Sequence, residues 1–177
     1  MATSEPVSLP DILHGRDERA ALQRSLISRF QVPLLCLLVN MPGPVKQNAT
    51  SRLIHVAGCG AVLAKLAQTG LSCIYQETLD HKTGPEGYFL VESDPIGLKA
   101  LACLIEDSHP LGRLFDIDVV GLDYTPISRQ TLGLPRRRCL ICDQDAASCS
   151  RSQQHSLAEL LERIGQIVSS AGESEHG

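Results

Sequence analysis

Asp116 and Asp118 stand two positions apart in LFDIDVVG (114–121), an otherwise apolar segment with the composition of a buried strand. In a strand, alternate side chains point to opposite faces. Phe115, Ile117 and Val119 therefore share one side and the two aspartates the other, about 7 Å apart along the backbone. Carboxylates that close repel each other and raise a pKa unless a cation lies between them. Mg²⁺, which prefers oxygen ligands, removes that penalty. Asp-x-Asp on a strand is thus a metal seat suited to phosphoryl or nucleotidyl transfer, in which the metal neutralises a polyphosphate and activates the attacking oxygen. The same short pattern also fits a half-exposed strand whose outer face is acidic.

Cations gather around this pair. Gly112 and Arg113 precede it, and residues 126–138 hold four arginines (Arg129, Arg136, Arg137, Arg138) and no acid, in a chain of net charge -4. The guanidinium fork matches phosphate oxygens, and Lys46, on the rigid turn PGPVK (42–46), supplies a point charge. An ordinary solvated basic patch would read the same way. His109 and His81 are further acid/base candidates near neutral pH, or plain loop histidines. TGPEG (83–87) serves equally as a substrate loop or a hairpin turn.

A second cluster follows at once. Cys139, Cys142, Cys149 and His155 form C-x2-C-x6-C-x5-H, three soft thiolates and an imidazole that could close a tetrahedral structural zinc site. Such a site would fix the arginine-rich loop against the last helix, in a region with little core of its own. A Cys-x-x-Cys pair can also be a redox couple or two unrelated small residues. No neighbouring pattern singles out one thiol as a nucleophile.

The elements that must position these groups follow from periodicity. Leu22, Leu26 and Phe30 give a helix over 17–30. LLCLLV (34–39) is a strand running into a Pro/Gly loop, and Thr50–Gln68 is a helix with Gly70 at its C-cap. LSCIYQETL (71–79) and GYFLVES (87–93) read as a hairpin. Ser93 or Asp94 caps a helix that has Pro95 at its first position and stops before Pro110. The aspartate strand comes next, with TPISR (125–129) as a short partner. Ser156 and Glu159 form a capping box for a helix striped by Leu157, Leu160, Leu161, Ile164 and Val168. One α+β domain over 1–177 is expected, a mixed sheet flanked by helices, with 1–10 and 171–177 loose.

Composition narrows the function. With 3% aromatic residues, no Trp and mild acidity, the chain has neither the stacking platforms nor the bulk charge of a nucleic-acid binder. The start MATSEPVSLPDIL has no basic stretch leading into an apolar block. The longest apolar run, at 32–39, falls far below the roughly 20 residues that span a bilayer. A cytoplasmic protein without membrane association is expected, and seven scattered cysteines suit reduced thiols.

Together, RDER (16–19), PGPVK (42–46), GPEG (84–87), SHPLGRLFDIDV (108–119), ISR (127–129) and PRRRCLICDQDAASCSRSQQH (135–155) resemble the apo-citrate lyase phosphoribosyl-dephospho-CoA transferase family, also called holo-citrate lyase acyl-carrier-protein synthase. The likeness extends over nearly the whole chain, and the last long blocks are its most specific part. It implies a nucleotidyltransferase-like protein that moves the phosphoribosyl-dephospho-CoA part of 2'-(5-triphosphoribosyl)-3'-dephospho-CoA to a serine of the citrate lyase acyl carrier (gamma) subunit, releasing pyrophosphate. It further implies that Asp116 and Asp118 hold Mg²⁺ and that Lys46, Arg113 and Arg129 hold phosphates. Arg136 to Arg138 would touch substrate or an acidic carrier, and an aspartate or His109 would be the base. Two departures from the usual nucleotidyltransferase signature stand out: Gly112-Arg113 replaces its Gly-Ser or Gly-Gly pair, and no third carboxylate is evident. The rival reading is a zinc-stabilised adaptor that binds the carrier without catalysis, with redox sensing through Cys139 and Cys142 further off.

Overall fold

The structure is a computed structural model that describes residues 5–174. Helix α1 (Leu9–Phe30) begins eight residues before the expected start at residue 17. Its start is set by a capping box rather than by burial: Ser8 and Asp11 bond each other's backbone, while Leu9 and Leu13 stay exposed. Leu26 and Ile27, near its end, are its buried anchors. Strand β1 (Leu34–Val39) follows, then α2 (Ala49–Thr69), which Asn48 caps and Gly70 closes in the left-handed conformation as expected.

Strands β2 (Ser72–His81) and β3 (Gly84–Glu92) form the expected hairpin, but with only Lys82 and Thr83 between them. GPEG therefore lies inside β3 and is not a loop. Helix α3 (Pro95–Ser108) is capped by Asp94. After a 3-10 turn at Gly112–Leu114 come β4 (Phe115–Val120) and the two-residue β5 (Pro126–Ile127). Helices α4 (Ala146–Ser152) and α5 (Leu157–Ser174) complete the order. Helices thus run into both segments expected to be loose, 1–10 and 171–177, whose outermost residues lie outside the described ones.

The sheet has the order β2-β3-β1-β4-β5, and all four pairings are antiparallel. The expected mixed sheet is corrected here. The crossover through α2 does carry the chain to a strand parallel to β1, but β3 inserts between the two. In the same way β1 inserts between β3 and β4. These interleaved split β-α-β units give the ferredoxin-like strand order, in which no parallel strands touch.

Both sheet faces are covered. Leu35, Leu37, Phe89, Phe115, Ile117 and Val119 pack against α2 and α3 through Ile54, Val62, Leu98 and Ile105. Leu34, Cys36, Tyr88, Leu90 and Val120 meet Leu26 and Ile27 of α1. Each fully buried Leu, Ile or Phe contributes about 1.5–3 kcal/mol, so the first cluster is the main source of stability. Leu38 pairs with both Glu86 and Asp116, and Cys36 with both Tyr88 and Asp118. The aspartates therefore share one face, the α1 side, as their spacing requires.

Candidate active site

Strand β5 pairs only with Val119 and Val120, which leaves the first half of β4 without an outer strand. Side chains close that edge. Arg137 Nη1 donates to Phe115 O at 2.7 Å, Lys99 Nζ donates to Ile117 O at 2.7 Å, and Ile117 N donates to Glu106 at 2.9 Å. Gly112 lies so close beneath that a Cβ there would stand 2.3 Å from Glu106 O. Only glycine allows the 3-10 turn to bring Arg113 to this place.

A cavity of about 820 Å³ opens where β1 ends and β4 begins. Asn40, Met41 and Lys46 of the Pro/Gly loop form one side; Arg113 and Asp116 lie beneath; Arg137, Arg138 and Cys139 face them. Cys149 of α4, His155 and the first turns of α5 form the rear. Gly43, at φ +78°, leaves room for Leu157 of α5, whose side chain would meet an added Cβ at 2.8 Å.

The charges here are mutually dependent. Arg137 Nη1 lies 3.7 Å from Asp116 Oδ1 and 3.6 Å from Glu106 Oε1. Burial, and then the neighbouring Arg137 cation, lower the Arg113 pKa. Arg113 donates to the carbonyls of Arg138 and Cys139 at 2.7 and 2.8 Å. Burial likewise lowers the pKa of Lys46, which donates to Met41 O. Asp118, one pair deeper along the sheet, is pushed up by burial first and by the Asp116 charge second, and it does not line the cavity. Three guanidinium groups and an amine beside a half-exposed carboxylate are groups that can bind a polyanion next to a proton acceptor.

Other predicted residues fall elsewhere. Arg129 bonds Asp107 at 2.7 and 2.9 Å and Glu106 at 2.9 Å, outside the cavity lining; its guanidinium locks α3 to the 3-10 turn Arg129–Leu132. Arg136 is exposed and also outside the lining. His109 accepts from Leu111 N at 3.0 Å and lies against Phe115. The RDER and GPEG motifs meet each other, because Arg19 donates to buried Glu86 at 2.6 Å beneath α1 and Tyr88 shares that carboxylate. His81 lines a separate 170 Å³ cavity beside them. Sequence reasoning missed Glu106 and Lys99, whose only signal is that they are charged residues in a largely apolar helix.

Cys139, Cys142, Cys149 and His155 converge as their spacing suggested, with all four ligand atoms within 4.8 Å of one another. They could hold a metal such as zinc.

A family profile described as apo-citrate lyase phosphoribosyl-dephospho-CoA transferase matches residues 7–171. The chain belongs to that family. A Citrobacter koseri protein so named is 40% identical over 173 residues, covering 98% of this chain and 94% of its own length. One from Escherichia coli is 39% identical, covering 95% and 92%. A Vibrio cholerae protein carrying the name with the qualifier "probable" is 41% identical, covering 92% of each. Family membership makes this chain a transferase, and the non-catalytic adaptor reading is set aside. Among the described residues no helix is long and apolar enough to cross a membrane.

Proposed function

We propose that this transferase moves phosphoribosyl-dephospho-CoA from 2'-(5-triphosphoribosyl)-3'-dephospho-CoA to a serine of the apo-citrate lyase acyl carrier subunit, in the cytoplasm, by nucleotidyltransferase-type chemistry. The observation that carries this reading is one cavity joining Asp116 to Arg113, Arg137, Arg138 and Lys46. The serine oxygen attacks the α-phosphorus, a new P–O ester bond forms, and the bond to the β-phosphate oxygen breaks to release pyrophosphate. The guanidinium groups and Lys46 neutralise the triphosphate and the departing pyrophosphate. The hydroxyl proton passes to Asp116, the candidate base that lines the cavity.

Asp116 and Asp118 share one face, and Mg²⁺ would be held by Asp116 in the cavity with Asp118 turning in from just outside its lining; burial first and the Asp116 charge second raise the Asp118 pKa, and a cation relieves the second of these. When bound, the ion would supply charge neutralisation and polarisation at the α-phosphate. Two carboxylates plus substrate oxygens are a normal Mg²⁺ ligand set, so a third acid is not required. Of the arginines expected to bind substrate or carrier, Arg113, Arg137 and Arg138 line the cavity and are assigned to substrate. Arg129 takes a structural one. Exposed Arg136 remains for an acidic carrier.

The test is incubation with apo carrier, the triphosphoribosyl precursor and Mg²⁺, read by intact-mass spectrometry and pyrophosphate release. A carrier adduct with stoichiometric pyrophosphate is expected. Asp116→Asn should lower transfer at least a hundredfold with the fold intact; full activity in that variant refutes the role of the aspartate.

A further inference from the structure

We propose that Cys139, Cys142, Cys149 and His155 bind one zinc ion that fixes the arginine wall of the reaction cavity, so that metal occupancy sets the affinity of the cavity for polyphosphate. The second half of this proposal rests on the cavity being the phosphate site.

Four observations lead to it. The first is the donor set. Cys142 Sγ lies 3.5 Å from Cys149 Sγ and 3.2 Å from His155 Nε2, and Ile141 N donates to Cys139 Sγ at 3.5 Å. Tetrahedral zinc, with bonds of about 2.3 Å to sulfur and 2.0–2.1 Å to nitrogen, holds its ligand atoms roughly 3.5–3.8 Å apart, so small side-chain shifts would close the site. Four protein ligands leave no open position for substrate, which makes the ion structural.

The second is how little core the segment has, with Ile127 and Leu140 only partly buried against the main cluster. From residue 122 to residue 163 the only buried side chains are those of Cys139 and Cys149. A stretch of that length cannot offset its ordering entropy with two cysteines. Metal binding supplies the missing free energy, because a site formed only in the folded loop couples its binding to folding. The local backbone is arranged accordingly: Arg138 and Asp145 form an antiparallel bridge, Cys139 N donates to Gln144 O, and α4 brings back Cys149.

The third is connectivity to the cavity. Arg113 donates to the carbonyl of Cys139 itself, Arg137 and Arg138 immediately precede that residue, and Cys139, Cys149 and His155 line the same cavity as Asp116. Arg163 of α5 reaches Leu140 O at 3.3 Å from the other side. Fixing Cys139 therefore fixes both ends of the arginine wall.

The fourth is charge. Arg113 and Arg137 line the same wall of the cavity, and Arg137 Nη2 donates to Arg113 O at 3.0 Å, so two like charges are held close together. Zinc with three thiolates and a neutral imidazole carries a net single negative charge, which offsets part of their repulsion when no substrate is present.

The experiment uses the full chain purified without chelator. Elemental analysis should find about one zinc per chain. Cobalt in its place should show thiolate-to-metal charge-transfer absorption, and Cys142→Ser or His155→Gln should retain less than a tenth of the metal. Titration calorimetry with inorganic tripolyphosphate should show a Kd at least tenfold higher after chelation, restored by added zinc. Far-UV circular dichroism of the chelated chain should still report the sheet. Cys73→Ser, outside the cluster, should keep both metal and affinity. Less than a tenth of an equivalent of zinc with no cobalt spectrum overturns the proposal. So does iron in place of zinc, or a tripolyphosphate Kd within twofold after metal loss. A chain that holds zinc and binds tripolyphosphate as stated but never modifies the carrier refutes the transfer reading and leaves the metal proposal standing.

Discussion

Replacing Arg137 separates its two roles. Its guanidinium donates to Phe115 O at 2.7 Å, Arg113 O at 3.0 Å and Gly112 O at 3.4 Å, and lies 3.6 Å from Glu106. Hydrogen bonds from a charged donor contribute about 1.5–3 kcal/mol each, and only the first two have good geometry. Glu106 is 3% exposed but keeps Arg129 and Ile117 N as partners, so it is not stranded when Arg137 is lost. Arg137→Ala should then cost about 3 kcal/mol. With a urea m-value of about 2 kcal/mol/M, the unfolding midpoint falls by roughly 1.5 M. Arg137→Lys keeps the charge and one donor and should recover about half of that loss. Transfer should behave differently: Lys cannot span Phe115 O and a substrate phosphate together, so kcat/KM under fully folding conditions should drop at least tenfold in both variants. A midpoint change below about 0.5 M for Arg137→Ala would refute the edge-closing role. Wild-type kcat/KM for Arg137→Lys would refute the substrate role.

Arg129→Ala should destabilise the protein by about 3 kcal/mol, because it removes the nearest cation of buried Glu106, while kcat per folded molecule stays unchanged; urea melts and transfer assays check the two halves. Asp118 carries a sign that can be tested. Its folded pKa lies above the ordinary carboxylate value through burial and then Asp116, so the folded state prefers the protonated acid. The resulting instability is absent below the ordinary value, grows as pH rises through it, and is complete above the folded value. Asp118→Asn should therefore raise the melting temperature at pH 7, lose that advantage as pH falls below about 4, and still lower transfer. A variant less stable than the parent at pH 7 would contradict this.

Much of the arrangement is written locally in the chain. The Asp116/Asp118 face follows from strand alternation alone, and the Cys/His convergence from spacing. The Asn48, Asp94 and Ser156 caps fall where side-chain chemistry puts them. What local pattern does not carry is pairing across the chain. No property of Arg129 distinguishes it from Arg137 in sequence; the difference is that Asp107 and Glu106 reach the first and a cavity the second. The antiparallel character of the sheet is equally non-local, since it depends on which strand inserts beside β1. Helix α1 begins early because a cap can start a helix where no apolar stripe exists.

The open half of β4 links stability to function. An unpaired strand edge exposes backbone groups that must find partners, and this chain uses charged side chains from α3 and from the arginine loop. Lys99 and Glu106 come from a helix and are fixed by its packing. Arg137 comes from a segment with almost no core, yet it makes the bond nearest Asp116. The same guanidinium thus closes the sheet edge, lies 3.7 Å from the Asp116 carboxylate, and faces the cavity that a polyphosphate would fill under the proposed function. Arrival of phosphate would compete with Asp116 for that cation and leave the carboxylate free to accept a proton when the substrate is in place.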